Sequence, residues 1–112
     1  HNVKIVRLSS AETAQALRRE RTFTRLKNAQ VSLDDFDLRT VFVDPPRAGL
    51  DAPGVSVVGG FERCLYISCN PVRLAMDLEE LPDHEISSAI FFDQFPYTEH
   101  SEVGVVLERT RR

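Results

Sequence analysis

With 112 residues the chain makes one domain or part of one, enough to bury a modest core. Hydrophobic residues at 42% and charged residues at 28% argue against disorder, and no apolar run approaches the roughly 20 residues of a membrane span. The net charge of -3 speaks against a broad phosphate-binding surface.

Charge is nevertheless unevenly placed. Arg18, Arg19, Arg21, Arg25 and Lys27 cluster, and Arg109, Arg111 and Arg112 lie together near the end. The first cluster is either a patch that touches nucleic acid or a solvated helix face. The two cysteines, Cys64 and Cys69, stand an odd number of residues apart along one apparent strand, so they point to opposite faces and do not pair. No Cys/His set has zinc-ligand spacing, so no metal is expected, and reduced thiols fit a cytoplasmic setting. The opening residues, His1 to Val6, show neither a Met nor a signal peptide, as expected of a piece of a longer protein.

In chain order, Val3 to Leu8 alternates and is rich in β-branched residues, which predicts a strand. Ser9 or Ser10 can cap a helix over Ala11 to about Arg21. Residues 22–38 read as a helical or irregular connection, partly buried through Phe23, Leu26 and Val31. Thr40 to Asp44 is almost continuously apolar, the pattern of a strand buried on both faces of a parallel sheet, and Pro45-Pro46 stops it. A weak helix over about 54–60 ends at Gly59-Gly60. Arg63 to Ser68 is another apolar strand, and Pro71 suits the start of a helix in which Leu74, Leu78 and Leu81 recur at helical spacing. Pro82 ends that helix, His84 reads as exposed loop, and Glu85 to Phe92 is a strand. Residues 96–101 form a turn into a last strand, Glu102 to Glu108, antiparallel to the one before. The alternation predicts an α/β fold with a mostly parallel sheet and a C-terminal antiparallel hairpin.

In such sheets ligands sit beyond the carboxyl ends of the strands. Asp44-Pro45-Pro46-Arg47 and Ser68-Cys69-Asn70-Pro71 both occupy such ends, so the two clusters are expected to face one cleft. A lone cysteine is usually a small buried hydrophobe. Cys69, however, leaves a buried strand just before a helix, and the positive end of a helix favours an anionic group, which suits a nucleophile. Asp44 can contact a ligand hydroxyl, amine or base edge, or simply accept N–H bonds within its turn. Arg47 can hold a phosphate or a carbonyl, or pair with Asp44 or Asp51. Phe92 to Glu102 crowds polar and aromatic residues into a turn. Glu99, His100 and Glu102 are candidate proton acceptors, and Tyr97 and His100 could stack on a base, although a solvated turn is the commoner fate. No glycine-rich cofactor loop occurs, since Gly59-Gly60 is isolated and misplaced for one.

Three segments together carry a resemblance. Phe42-Val43-Asp44-Pro45-Pro46-Arg47-Ala48-Gly49-Leu50-Asp51, Leu65-Tyr66-Ile67-Ser68-Cys69-Asn70-Pro71 and Phe92-Asp93-Gln94-Phe95-Pro96-Tyr97-Thr98-Glu99-His100-Ser101-Glu102 resemble the C-terminal half of the RNA uracil-5 methyltransferases, and above all their tRNA-modifying branch. The resemblance implies part of a class I, Rossmann-like catalytic domain that uses S-adenosyl-L-methionine and acts on RNA, expected to be the T-loop uridine in the tRNA T-arm. It implies Cys69 as the nucleophile that attacks uracil C6 and Glu102 as the base that removes the C5 proton. By the same resemblance Asp44 belongs to the S-adenosylmethionine site and Arg47 lies near the substrate. It also implies that most of the cofactor cradle and the RNA-binding parts lie upstream, so that residues 1–112 alone are inactive.

Three rival readings remain. An rRNA uracil-5 methyltransferase shares the chemistry, although Asp93-Gln94-Phe95-Pro96-Tyr97 looks more like the tRNA branch. An enzyme that methylates exocyclic amines also uses Asp-Pro-Pro, but Arg47 and the Ser-Cys-Asn-Pro segment disfavour it. A non-catalytic RNA-binding domain would have no use for Asp44, Cys69 and Glu102 together.

Overall fold

The computed structural model describes residues 3–92 and 102–110. Four strands, β1 (Thr40–Val43), β2 (Arg63–Ser68), β3 (His84–Phe92) and β4 (Glu102–Arg109), form one sheet in the order β1-β2-β4-β3. Four α-helices accompany them among the described residues: α1 (Ser10–Leu17), α2 (Thr24–Asn28), α3 (Ala52–Gly59) and α4 (Pro71–Glu79). β1 and β2 run parallel, joined through α3, whereas β4 is antiparallel to both β2 and β3. The sheet is therefore mixed rather than mostly parallel among the described residues. The final hairpin folds back so that β4 inserts between β2 and β3, and that one insertion creates both antiparallel pairings.

Local chemistry accounts for most helix boundaries. Ser9 caps α1 in a reciprocal box: its hydroxyl accepts from the Glu12 N–H, and the Glu12 carboxylate accepts from the Ser9 N–H. Asp51 caps α3 by accepting from the Gly54 N–H at 2.7 Å, which starts that helix two residues before the expected position. Asn70 caps α4, with Pro71 in the first turn where its missing N–H costs nothing.

Side chains alternate across the sheet. Cys64 and Tyr66 on β2, with Val105 and Leu107 on β4, point into a core completed by Val58 of α3, Leu74 of α4, and Leu81. Val41 and Val43 pack against its margin. The opposite face leaves Phe42 62% and Ile90 58% exposed. β1 is expected to be covered on both faces, but among the described residues it is an edge strand, and the helices that build the core pack on one side only.

Two further expectations fail for physical reasons. Val3 to Leu8 forms no strand: it pairs with none of the four described strands, and Val3 and Ile5 stand exposed. An alternating pattern supplies a face but not a hydrogen-bonding partner, and a strand needs both. His84 is no exposed loop residue. It opens β3, is buried, and its Nε2 sits 2.7 Å from the Phe61 carbonyl oxygen, a geometry in which the ring N–H donates. The expected turn over residues 96–101 lies outside the described residues.

The basic cluster is largely engaged with the protein itself. Arg18 bonds Glu20 and the Ser56 hydroxyl of α3, Arg19 pairs with Asp34 at 2.7 Å, and Arg25 joins Glu12 and the Arg7 carbonyl. Arg21 lies over the ring of buried Phe23 at 4.5 Å. These exposed pairs, screened by solvent, tie the helical layer together.

Candidate active site

β1 and β2 end side by side, with Val43 paired to Tyr66, so the loops that leave them are neighbours. The two polar clusters, expected to face one cleft, lie against each other, while the cavity beside Asp44 is lined by neither Cys69 nor Asn70. Asn70 Nδ2 donates to the Arg47 carbonyl at 3.1 Å, while Asn70 Oδ1 accepts from the Arg73 N–H at 3.3 Å. One side chain thus caps α4 and clamps the loop that follows β1.

Cys69 occupies the bend between β2 and α4 and is half-buried with a free thiol. Its neighbours hold that bend. The Ser68 hydroxyl accepts from the Asn70 N–H at 3.0 Å and donates to the Asn70 carbonyl at 2.9 Å. Glu102 reaches the same end of the sheet as the first residue of β4, half-buried and paired with Phe92. The β2–β4 ladder ends at Ser68 opposite Val103, and the next residues along are Cys69 and Glu102. Cys69 and Glu102 therefore leave the last β2–β4 pair at the same end of the sheet, Cys69 in the bend and Glu102 still on the strand.

Asp44, just past β1, is exposed and accepts no backbone N–H from another described residue, which removes the turn-capping alternative. Arg47 is exposed and pairs with neither Asp44 nor Asp51, whose carboxylate is used at the α3 cap. A cavity of about 680 Å³ opens beside Asp44. Its walls are mostly apolar, among them Leu8, Val41, Pro45 and Val57, with Ser10, Thr13 and Arg73 as polar points. Of the remaining candidates, Tyr97, Glu99 and His100 lie outside the described residues. A second cleft of about 550 Å³ lies at the opposite end of the sheet. Its arginines are engaged, Arg63 with Glu108 and Arg109 with the Gly59 carbonyl.

The two thiols differ sharply. Cys64 is fully enclosed, and burial pushes its pKa up to about 12. A thiol with a raised pKa favours folding while it stays neutral. That contribution is complete below its ordinary pKa of about 9 and is lost as the pH climbs toward 12. Iodoacetamide applied to the folded chain at about pH 8.5 is expected to label Cys69 and spare Cys64. Peptide mapping that found equal labelling would contradict the enclosed position of Cys64.

Sequence reasoning passed over Asp77. It occupies the inward face of α4 with Leu74 and Leu78, and is 1% exposed. The signal was present: an acid at an apolar position of an amphipathic helix must find buried partners. Here Asp77 Oδ2 accepts from the Tyr66 hydroxyl at 2.5 Å and the Leu50 N–H at 3.0 Å, and Arg73 Nε lies 3.3 Å from Oδ1. Burial, and next the bond to Asp77, raise the Tyr66 pKa.

Comparison with known proteins places the chain in a family. The family model described as tRNA (Uracil-5-)-methyltransferase matches residues 1–110. The chain belongs to the tRNA (uracil-5-)-methyltransferase family. Members named tRNA/tmRNA (uracil-C(5))-methyltransferase include one from Vibrio cholerae, 49% identical over 98% of this chain and 30% of its own length. Another, from Shewanella loihica, is 51% identical over 96% of this chain and 29% of its own. The chain thus spans about three tenths of the relatives it matches. Among solved structures, the Pyrococcus abyssi tRNA (uracil-54, C5)-methyltransferase in complex with S-adenosyl-L-homocysteine matches with a TM-score of 0.57 and 31% identity. That match covers 88% of this chain and 27% of that one. The mixed α/β sheet is therefore similar to that of a family member.

Proposed function

We propose that residues 1–112 form the C-terminal part of a class I S-adenosylmethionine-dependent catalytic domain that methylates uridine C5 in tRNA, with the T-loop uridine as target. The observation that carries this reading is the convergence of Cys69, Glu102 and the Asp44–Arg47 loop at one end of the sheet. The cavity beside Asp44 fits the cosubstrate in kind. Its volume lies within the range of about 300–1,000 Å³ usual for small-molecule sites, its walls suit an apolar ring, and Asp44 lines it with an exposed carboxylate for a polar group.

S-adenosylmethionine, when bound, supplies an electrophilic methyl group. Asp44 would hold it from the β1 side. Uracil C5 is a weak nucleophile, and Cys69 changes that: its sulfur bonds to C6, and the electron pair of the C5–C6 double bond moves to C5 and its conjugated carbonyl. C5 could then accept that methyl group, the electrons of the broken sulfur–methyl bond remaining on the sulfur as S-adenosylhomocysteine leaves. Glu102 removes the remaining C5 proton, the C5–C6 double bond returns, and the bond from C6 to the Cys69 sulfur breaks. Arg47, with its guanidinium exposed and its carbonyl clamped by Asn70, is suited to hold a phosphate or a uracil carbonyl. A base inside a helix cannot reach the Cys69 sulfur, so the uridine must be extruded.

The test uses a polypeptide of the relatives' full length that carries this segment, with S-adenosylmethionine and a tRNA T-arm containing 5-fluorouridine. Fluorine cannot leave C5 as a proton does, so the adduct should persist on a denaturing gel, with mass spectrometry locating it on Cys69. An adduct formed only with rRNA would move the substrate to rRNA. No adduct with either would favour amine methylation or a non-catalytic RNA-binding role.

A further inference from the structure

We propose that Asp77 is a positioning residue that holds the loop carrying Asp44 and Arg47 at a set distance from Cys69. The inference rests on the uridine-methylation reading and adds a residue to it. The loop between β1 and α3 is tied down at two points, and both ties come from the segment that follows Cys69. Asn70 holds the Arg47 carbonyl, and Asp77 holds the Leu50 N–H at 3.0 Å. Between the ties the loop lies directly on α4. Gly49 has φ +83°, and a Cβ there would stand 2.4 Å from Arg73 Cγ and 2.7 Å from Asp77 Oδ2. Only glycine allows both that turn and that approach.

Asp77 is held in its turn. The Tyr66 hydroxyl donates to the same oxygen that receives Leu50, and Arg73 Nε, itself buried, faces the other. Tyr66 lies on β2 three residues before Cys69, and Asp77 lies on the helix that starts just after it. Cys69 thus lies between Tyr66, which holds Asp77, and Asp77, which anchors the opposite loop. A structural acid would need only to be neutralised and bonded. Asp77 instead spends one of its bonds on the backbone of the loop bearing the proposed cosubstrate and substrate contacts.

Asp77→Asn and Gly49→Ala, each made in the full-length polypeptide, test this from the two sides of the contact. Both are expected to slow single-turnover methyl transfer at saturating RNA and cosubstrate roughly 10- to 100-fold, because displacements of about an ångström at a reacting centre cost that much. RNA affinity should stay within a few-fold. Amide exchange should quicken over residues 44–50 while β2 and β4 keep their protection. Unchanged exchange at Leu50 would overturn the anchor, and loosened exchange with methyl transfer unaltered would overturn its positioning role. Exchange that rises across β2 and β4 as well would reduce Asp77 to a core residue. If Asp77→Asn does not fold, Gly49→Ala decides by the same readouts. Failure of the parent polypeptide to methylate any RNA would refute the uridine reading instead, and the exchange arm would still decide whether Asp77 holds the loop.

Discussion

Replacing Cys69 by alanine in the full-length polypeptide is expected to lower methyl transfer on the order of 10,000-fold while leaving RNA affinity within a few-fold. The size follows from the chemistry. Without addition at C6 there is no electron-rich C5, and neither the cosubstrate nor the base can act on an unactivated ring. The fold should tolerate the change, since Cys69 is half-buried at a bend held by Ser68 and Asn70, and its sulfur is absent from the buried core. The expected stability change is about 1 kcal/mol or less. Transfer from radiolabelled S-adenosylmethionine gives the rate, and filter binding gives the affinity. Turnover within tenfold of the parent would remove Cys69 as nucleophile. Equal loss of rate and affinity would point to a misfolded site.

Glu102→Gln should fail at a later step. The amide is close in shape and keeps its place opposite Phe92 at the start of β4, so addition and methylation proceed. Proton removal does not, and the RNA stays bonded to Cys69. The expected signature is a covalent adduct with ordinary, unfluorinated tRNA, visible on a denaturing gel, with turnover reduced roughly 100- to 10,000-fold. Normal turnover without an adduct would transfer the role of base to another group. Glu99 and His100, in the segment between β3 and β4, are the next candidates. The two substitutions also separate the catalytic and binding readings. A module that only binds RNA would lose nothing measurable in either, and neither would yield an adduct.

The site residues were legible because their neighbours are locally distinctive. Two prolines must end β1 just after Asp44. Asn70 and Pro71 must begin a helix just after Cys69. Those constraints act over a few residues, so they can be read from composition and spacing. The same holds for β2, whose apolar run matches its observed bounds of Arg63–Ser68.

Other features depended on partners distant in the chain. The alternating pattern of Val3 to Leu8 describes a face that could pair, but pairing is a property of two segments, and none of the four described strands takes it up. His84 looked like loop because it follows Pro82 and Asp83, yet the Phe61 carbonyl draws its ring into a buried position. Asp77 attracted no attention because its meaning lies in Tyr66, Leu50 and Gly49, between 11 and 28 residues away.

By itself, then, the sequence determined the helix starts, the strand ends, and the residue types that stand at one end of the sheet, since backbone sterics and capping chemistry are local. Only the tertiary structure decided that β4 runs between β2 and β3 and so brings Glu102 to the end of the sheet where Cys69 leaves β2. Strand order and register come from non-local hydrogen bonding and from the burial of Tyr66, Val105 and Leu107 in one core. No short window of residues contains those contacts.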